Sequence, residues 1–190
     1  MCIRDRLGIA LGVAALIIVL SVMNGFQKEV RDRMLGVLSH IEIFEPGGQA
    51  IPNLDDTLKR VRANPQVLGA APYVGAQALI ARGEDMKGTL VRGIDPAQEP
   101  QVTDLAADLS QTVLPRLVPG EFGVILGGEL ARSLGVAVGD AVTLIAPSGQ
   151  VTPAGVVPRI RQMTVVGTFD SGHYEYDSAL ALLPTEDAAR

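Results

Sequence analysis

The sequence predicts an α+β protein in which an N-terminal transmembrane helix precedes a domain with a mixed sheet and few helices. One observation behind this prediction is the run Leu7–Met23, which has no charged residue and one polar side chain, Ser21. The other is a succession of short strand-like segments after residue 40, separated by turn residues. The chain has 190 residues, enough for one domain or slightly more.

Composition excludes several kinds of function. The net charge is −5 and there is no basic block, so we expect no nucleic-acid partner. Cys2 is the only cysteine, which excludes a disulfide framework and a thiolate metal cluster. The two histidines, His40 and His173, lie far apart in the sequence, so a metal site would need ligands clustered around one of them. We predict neither a metal nor a cofactor.

The apolar run is long enough to be a membrane helix. Leu7–Met23 would span roughly 25 Å as a helix, and an extension to Phe26 reaches the roughly 30 Å of a bilayer core. A cleaved signal peptide is the alternative, because Arg4 and Arg6 precede the run. However, no cleavage site of small residues follows it. We therefore interpret the run as an uncleaved transmembrane helix.

The limits of this helix divide the chain into segments. Apolar residues continue at helical spacing from Val30 to Leu38, so the helix is expected to leave the bilayer without a break. The first six residues, MCIRDR, fit nothing that follows, and Pro184–Arg190 indicates a helix that is only beginning. We expect a fragment. The predicted segments are 1–6 as a non-native head, 7–26 as the transmembrane helix, 27–40 as its helical extension, and 41–190 as a domain incomplete at its C-terminus.

The remaining elements follow from local patterns. Asn53 is predicted to cap a helix over Leu54–Ala63, Asp95–Leu114 is polar and partly helical, and a second helix covers Gly128–Leu134. Alternation and turn residues predict the strands, the second to fourth of them as an antiparallel meander. These strands are His40–Glu45, Val67–Val74, Gln77–Ala81, Gly88–Gly93, Phe122–Leu126, Ala141–Ile145, Met163–Phe169 and Ser178–Leu183.

One stripe of the membrane helix changes character along its length. Its first part has small residues, which let a partner helix approach closely, and its second part has larger, adaptable ones. This pattern predicts tight packing at one end and a wedge-shaped gap at the other. The alternative is ordinary packing along the whole stripe. The packing residues are Gly8, Gly12 and Ala15, and the gap residues are Val19, Val22, Met23 and Phe26.

An apolar, proline-containing stretch, Ser148–Arg161, lies between two predicted strands. Its prolines and glycines predict that it is neither helix nor strand interior. Pro153 and Pro158 argue against the alternative of a disordered excursion, and an exposed apolar segment usually contacts a partner. We predict a docking loop over 147–161. Its proposed contact residues are Pro147, Gln150, Val151, Thr152, Pro153, Ala154, Gly155, Val156, Val157, Pro158, Arg159 and Arg161.

The chain contains no phosphate-binding loop, nucleophile elbow or zinc-protease motif. The nearest approach to a catalytic cluster is DSGHYEYD, residues 170–177. On a strand, His173, Glu175 and Asp177 would share one face and could form a metal or acid–base site. A solvated strand face explains the same residues, since no second histidine or cysteine lies nearby. We predict no catalytic residue.

Several stretches resemble the LolC/LolE family, the membrane subunits of the ABC transporter that releases lipoproteins from the inner membrane. The resemblance covers the chain after MCIRDR, and the SVMNGF block and the TPAG-containing loop make it specific. The matching segments are LGVAALIIVLSVMNGFQKEVRDRMLGVLSHI, VRGIDPAQE, GVILGGELARSLGVAVGD and PSGQVTPAGVVPR followed by MTVVGTF.

The resemblance implies a bacterial inner-membrane protein whose residues 41–190 form a periplasmic domain similar to that of MacB-type transporters. The loop would be a hook that holds a LolA-like chaperone, and Val19, Val22, Met23 and Phe26 would line the cavity for lipoprotein acyl chains. Further implied partners are a LolD-like ATPase subunit, a LolE-like or identical second membrane subunit, membrane lipid and the lipoprotein cargo. The chain itself would not be an enzyme.

Two other functions remain open. One is a MacB-like or FtsX-like mechanotransmission subunit, for efflux or for control of cell-wall hydrolases, which would not need the hook. The other is a membrane-anchored periplasmic enzyme that uses the strand of His173.

Overall fold

The computed structural model describes residues 3–37, 39–46, 50–152 and 155–189. A long helix, α1, is followed by a six-stranded domain with short helices. The helices are α1 (Ile3–Val37), α2 (Leu54–Arg62), α3 (Asp104–Leu109), α4 (Gly128–Ser133), α5 (Tyr174–Asp177) and α6 (Thr185–Ala188), with 3-10 turns at Glu99–Gln101 and Leu114–Arg116. The strands are β1 (Tyr73–Arg82), β2 (Asp85–Ile94), β3 (Gly123–Gly127), β4 (Ala141–Thr152), β5 (Gly155–Phe169) and β6 (Leu180–Pro184).

α1 is a single uninterrupted helix of 35 residues. Within it, Leu7–Gln27 is long and apolar enough to cross a membrane, and none of it is buried against the rest of the chain. Among the described residues this is the one such helix. Because an isolated apolar helix cannot be stable in water, its burial must come from outside the described chain.

The strands form a closed barrel in the order β1-β2-β6-β3-β5-β4. The sheet is mixed, because β2 and β6 are parallel, β3 and β5 are parallel, and the other neighbours are antiparallel. The barrel closes over a short stretch, where Leu79–Ala81 of β1 pairs with Thr143–Ile145 of β4. The predicted α+β class with a mixed sheet and few helices is confirmed.

Two apolar clusters hold the domain together. The first fills the barrel with side chains from every strand and from α4, among them Ile80, Val124 and Leu183, which are fully buried. The second lies where α3 and the second 3-10 turn cover the outside of β3, around Leu114 and Ile125. β3 is therefore buried on both faces, which explains why its sequence, GVILG, is apolar without alternation.

Several predicted elements differ in the structure. The meander prediction was wrong, because β1 runs straight through Gly75 and forms a simple hairpin with β2, and most of Val67–Val74 is not a strand. His40–Glu45 is also not a strand, although it alternates. A strand needs a hydrogen-bonded neighbour, and no described strand lies beside it.

Candidate functional site

The predicted docking loop is the end of a β-hairpin formed by β4 and β5. Backbone pairing continues from the barrel through Gln150 and Val157 to Thr152 and Gly155. Pro153 and Ala154, at the tip, lie outside the described residues. The prediction that this stretch could not be strand interior was therefore wrong. Beyond the barrel, each arm pairs only with the other arm among the described strands. Each arm therefore has an open edge on which a missing proline N–H costs no ladder hydrogen bond.

The two arms are not joined by one continuous ladder. The pairing register shifts between Ala146 and Gln150, and Pro147 lies in the irregular stretch. A shift of this kind bends and twists a hairpin relative to its sheet. The outer half of the hairpin, residues 150–157, is thus separated from the barrel wall by a local irregularity while its own two arms stay paired.

Two arginines and one exposed apolar residue lie at the base of the hairpin on β5. Arg159 pairs with Ala146 and Arg161 with Leu144 in the backbone register. The guanidinium of Arg161 lies 5.3 Å from the centre of the Phe122 ring, a cation–π contact that holds it against the barrel. Between the arginines, Ile160 is 61% exposed. The base therefore combines positive charge with an accessible apolar surface, which suits an acidic, partly apolar partner.

The stripe of α1 is fully accessible. All the predicted packing and cavity residues are exposed. The packing residues are Gly8, Gly12 and Ala15, and the cavity residues are Val19, Val22, Met23 and Phe26. A Cβ added at Gly8 or Gly12 would meet no atom within 4 Å. The described residues cover no part of this stripe, so the proposed packing and cavity roles both concern contacts with molecules outside the described chain.

The strand that the enzyme alternative would require around His173 is not formed. Tyr174–Asp177 is the short helix α5, so His173, Glu175 and Asp177 do not share a strand face. Asp177 accepts hydrogen bonds from the Ser171 amide and hydroxyl groups, at 2.8 and 2.7 Å, which makes it part of a turn. Among the described residues, no three His, Cys, Asp or Glu side chains lie close enough to hold a metal ion. The strand on which the enzyme alternative depended is therefore absent.

The structure also contains a polar cluster that the sequence patterns did not reveal. Arg92 on β2 is buried, and its Nη2 lies 3.0 Å from Oε1 of Glu99, which is also buried. Its Nη1 lies 3.9 Å from Oε1 of Glu42, and its Cζ lies 4.4 Å from the centre of the Tyr73 ring. The one available signal was an arginine inside the otherwise apolar strand segment LVRGI.

Burial changes the proton affinity of two members of this cluster. Burial raises the pKa of Glu99, while the Arg92 guanidinium acts in the opposite direction. Burial and the Glu42 carboxylate raise the pKa of the Tyr73 hydroxyl. Both effects favour the protonated form of the Tyr73 hydroxyl, which is a hydrogen-bond donor beside the Glu42 carboxylate.

Comparison with known proteins identifies similar chains. Residues 7–190 match the family model of the MacB-like periplasmic core domain. The lipoprotein-releasing system transmembrane protein LolC of Neisseria meningitidis is 48% identical over 185 residues, which are 95% of this chain and 43% of that protein. LolC of Xylella fastidiosa strain 9a5c is 42% identical over 181 residues, again 95% of this chain and 43% of the relative.

The resemblance extends to a second kind of subunit. The lipoprotein-releasing system transmembrane protein LolE of Haemophilus influenzae is 35% identical over 144 residues, covering 74% of this chain and 34% of that protein. The chain thus spans less than half the length of the relatives that it matches.

Proposed function

Because the chain belongs to the LolC/LolE family and carries a MacB-like periplasmic core domain, we propose that it is part of a membrane subunit of an ABC transporter for lipoproteins. The transporter would extract outer-membrane lipoproteins from the inner membrane and pass them to a soluble periplasmic chaperone similar to LolA. α1 would be the first transmembrane helix, and residues 41–190 would lie in the periplasm. ATP would be hydrolysed on a separate, LolD-like subunit.

The observation that carries this proposal is the β4–β5 hairpin. It leaves the barrel wall as a separate two-stranded arm and has arginines at its base. No other described strand pairs with this arm, so it contributes little to the stability of the domain. Isolated two-stranded hairpins are only marginally stable in water. A docked partner would supply the missing burial. We propose that the chaperone contacts the hairpin over 147–161 and is steered there by Arg159 and Arg161.

The second part of the site is the half of the α1 stripe that has the larger side chains. Val19, Val22, Met23 and Phe26 present an adaptable apolar surface toward the end of the candidate span. If a lipoprotein acyl chain left this surface for water, the free-energy cost would be about 0.8 kcal/mol for each CH₂ group that becomes exposed. Release must therefore be coupled to an acceptor held close by, which is the role that we propose for the hairpin. Gly8, Gly12 and Ala15 would pack against a LolE-like or identical second subunit.

Substitution of Val156 and Val157 by Asp tests the docking role. In the assembled transporter we expect the yield of crosslinked chaperone to fall about tenfold or more, because two carboxylates would be desolvated in an apolar contact. Met86→Asp with Val138→Asp is a matched control, since both residues are exposed and neither belongs to β4 or β5. Capture that is unchanged by the hairpin substitutions, or reduced equally by the control, would refute docking on this hairpin.

The match to the MacB-like core domain also favours a second candidate, a MacB-like or FtsX-like mechanotransmission subunit. Such a subunit would move its periplasmic domain in response to ATP but would hand no lipoprotein to a chaperone. An assay of lipoprotein transfer to the chaperone distinguishes the two functions. A transporter reconstituted with labelled lipoprotein should deliver the label to soluble chaperone in an ATP-dependent way, and a mechanotransmission subunit should not.

A further inference from the structure

The Arg92 cluster lies outside both parts of the proposed site, and its geometry is asymmetric. Glu99 is held close, at 3.0 Å, and its side chain is only 3% exposed. Glu42 lies at 3.9 Å and its side chain is 41% exposed. A short buried pair is costly to break, because each charge would be left without a partner, whereas a long, exposed pair breaks at little cost. Arg92 therefore has one permanent carboxylate partner and one that can leave.

The two partners come from different parts of the chain. Glu99 belongs to the 3-10 turn that follows β2, so it is part of the barrel domain. Glu42 belongs to the segment 39–46, which follows α1 and pairs with no described strand. Tyr73, at the start of β1, lies against the Arg92 guanidinium, and its hydroxyl is close enough to Glu42 for that carboxylate to raise the pKa of Tyr73. The contact with Glu42 thus connects the segment leaving α1 to the first two strands of the barrel.

A further feature indicates that the guanidinium is not saturated by its present partners. The Nε atom of Arg92 is buried and has no hydrogen-bond partner among the described residues. Buried polar groups are normally paired. A guanidinium with an unused N–H donor can bind a carboxylate in more than one position. This property is what a contact that opens and closes requires.

We propose that Glu42 and Arg92 form a releasable contact through which a movement of α1 reaches the periplasmic barrel. This inference rests on the proposed transport function. While the contact is closed, the segment 39–46 is held on the barrel; when it opens, that segment can move relative to the barrel, although α1 also lies against α3. Glu42 and Arg92 are positioning residues in this scheme, since neither touches the cargo or the nucleotide.

Glu42→Gln tests the proposal in the complete transporter, reconstituted in lipid vesicles with labelled lipoprotein and a LolA-like chaperone. Two rates are measured, ATP hydrolysis and transfer of label to the chaperone. We expect ATP hydrolysis to be retained and the label transferred per ATP to fall about fivefold or more, the size of a typical coupling between sites. Glu45→Gln is the matched control, because it removes a negative charge from the same segment and Glu45 is not among the described ion-pair partners of Arg92.

Each result decides between defined alternatives. If the wild-type transporter delivers no label, the proposed transport function itself fails. If the wild type transfers label and Glu42→Gln matches Glu45→Gln, the contact has no coupling role. An equal fall in ATP hydrolysis and transfer would indicate a structural role and would also overturn the proposal. Tyr73→Phe provides a second test, since it keeps the ring against Arg92 and removes only the hydroxyl donor; transfer per ATP should fall in the same direction, by less.

Discussion

Arg92 places a guanidinium in a barrel wall where its neighbours Val91 and Ile94 are buried apolar residues. The charge is tolerated because Glu99 and the Tyr73 ring surround it. The negative charge of Glu99 is compensated less completely. Burial raises the pKa of Glu99 by more than the attraction of Arg92 lowers it. At the scale of single residues, the protein therefore holds an ion pair whose acidic member costs stability when it ionises.

This imbalance predicts how stability depends on pH. The pKa of Glu99 is higher in the folded chain than its ordinary value of 4.5, so its favourable contribution is complete below the unfolded pKa and is lost as the pH rises through the folded pKa. Between these two values the free energy of unfolding should decrease with rising pH. In Glu99→Gln this decrease should be smaller, because the amide does not ionise.

Denaturant unfolding of the detergent-solubilised chain across the acidic range measures this slope. Glu84→Gln, in the turn between β1 and β2, provides a control that removes an exposed carboxylate and should retain the slope of the wild type. An unaltered slope in Glu99→Gln would show that another group causes the pH dependence.

At the scale of elements, local sequence and tertiary context contribute differently. The helix α2 follows Asn53, as predicted, but Asn53 adopts a left-handed conformation, with φ 56° and ψ 51°, and its side chain makes no capping hydrogen bond. The acidic first turn and basic last turn of α2 stabilise it through the helix dipole instead. α1 does not depend on charged residues at its ends, because its length and its apolar run suit a bilayer.

The stripe of α1 leads to a prediction about its packing. Gly12→Leu should weaken the association of this subunit with the second membrane subunit severalfold, because the larger side chain prevents close approach of the two backbones. Ala10→Leu, about half a turn away on the opposite face, is the matched control and should leave association unchanged. Copurification from membranes, or energy transfer between labelled subunits in nanodiscs, measures the effect. Equal losses in the two variants would mean that the stripe is not the packing face.

At the scale of the whole molecule, the barrel depends on close contacts between elements that are distant in sequence. Gly127 ends β3 where the chain passes α5, and a Cβ at this position would overlap the backbone carbonyl oxygen of Asp177. Gly88 lies in β2 with open space around it. The two glycines therefore have different roles, although both are in strands.

Gly127→Ala should lower the free energy of unfolding by about 1–3 kcal/mol, since backbone must move to admit the new methyl group. Gly88→Ala should be neutral or slightly stabilising, because it restricts the unfolded chain without a clash. Thermal unfolding of the detergent-solubilised chain compares the two variants. Equal transition temperatures would show that the region around Asp177 yields more easily than the structure indicates.

Local sequence patterns predicted the elements whose conformation depends on neighbouring residues. The apolar run of α1, the helix α4 and the strand positions from Gln77 onward follow from hydropathy and turn residues, which act over a few positions. Prolines and apolar residues also set the segment 147–161 apart from the flanking strand patterns, and its docking role stays a prediction. Its β conformation was not predictable, since whether a proline is tolerated depends on which edge of the strand is open.

The choice of neighbouring strands and of interacting charges depends on the complete fold. Closure of the barrel joins Leu79–Ala81 to Thr143–Ile145, and the Arg92 cluster unites Glu42, Tyr73 and Glu99. These partners are separated by tens of residues, and no local pattern specifies them. Their contacts form because burying the apolar strands brings distant backbone together, and a buried charge must then be satisfied by whichever group lies there.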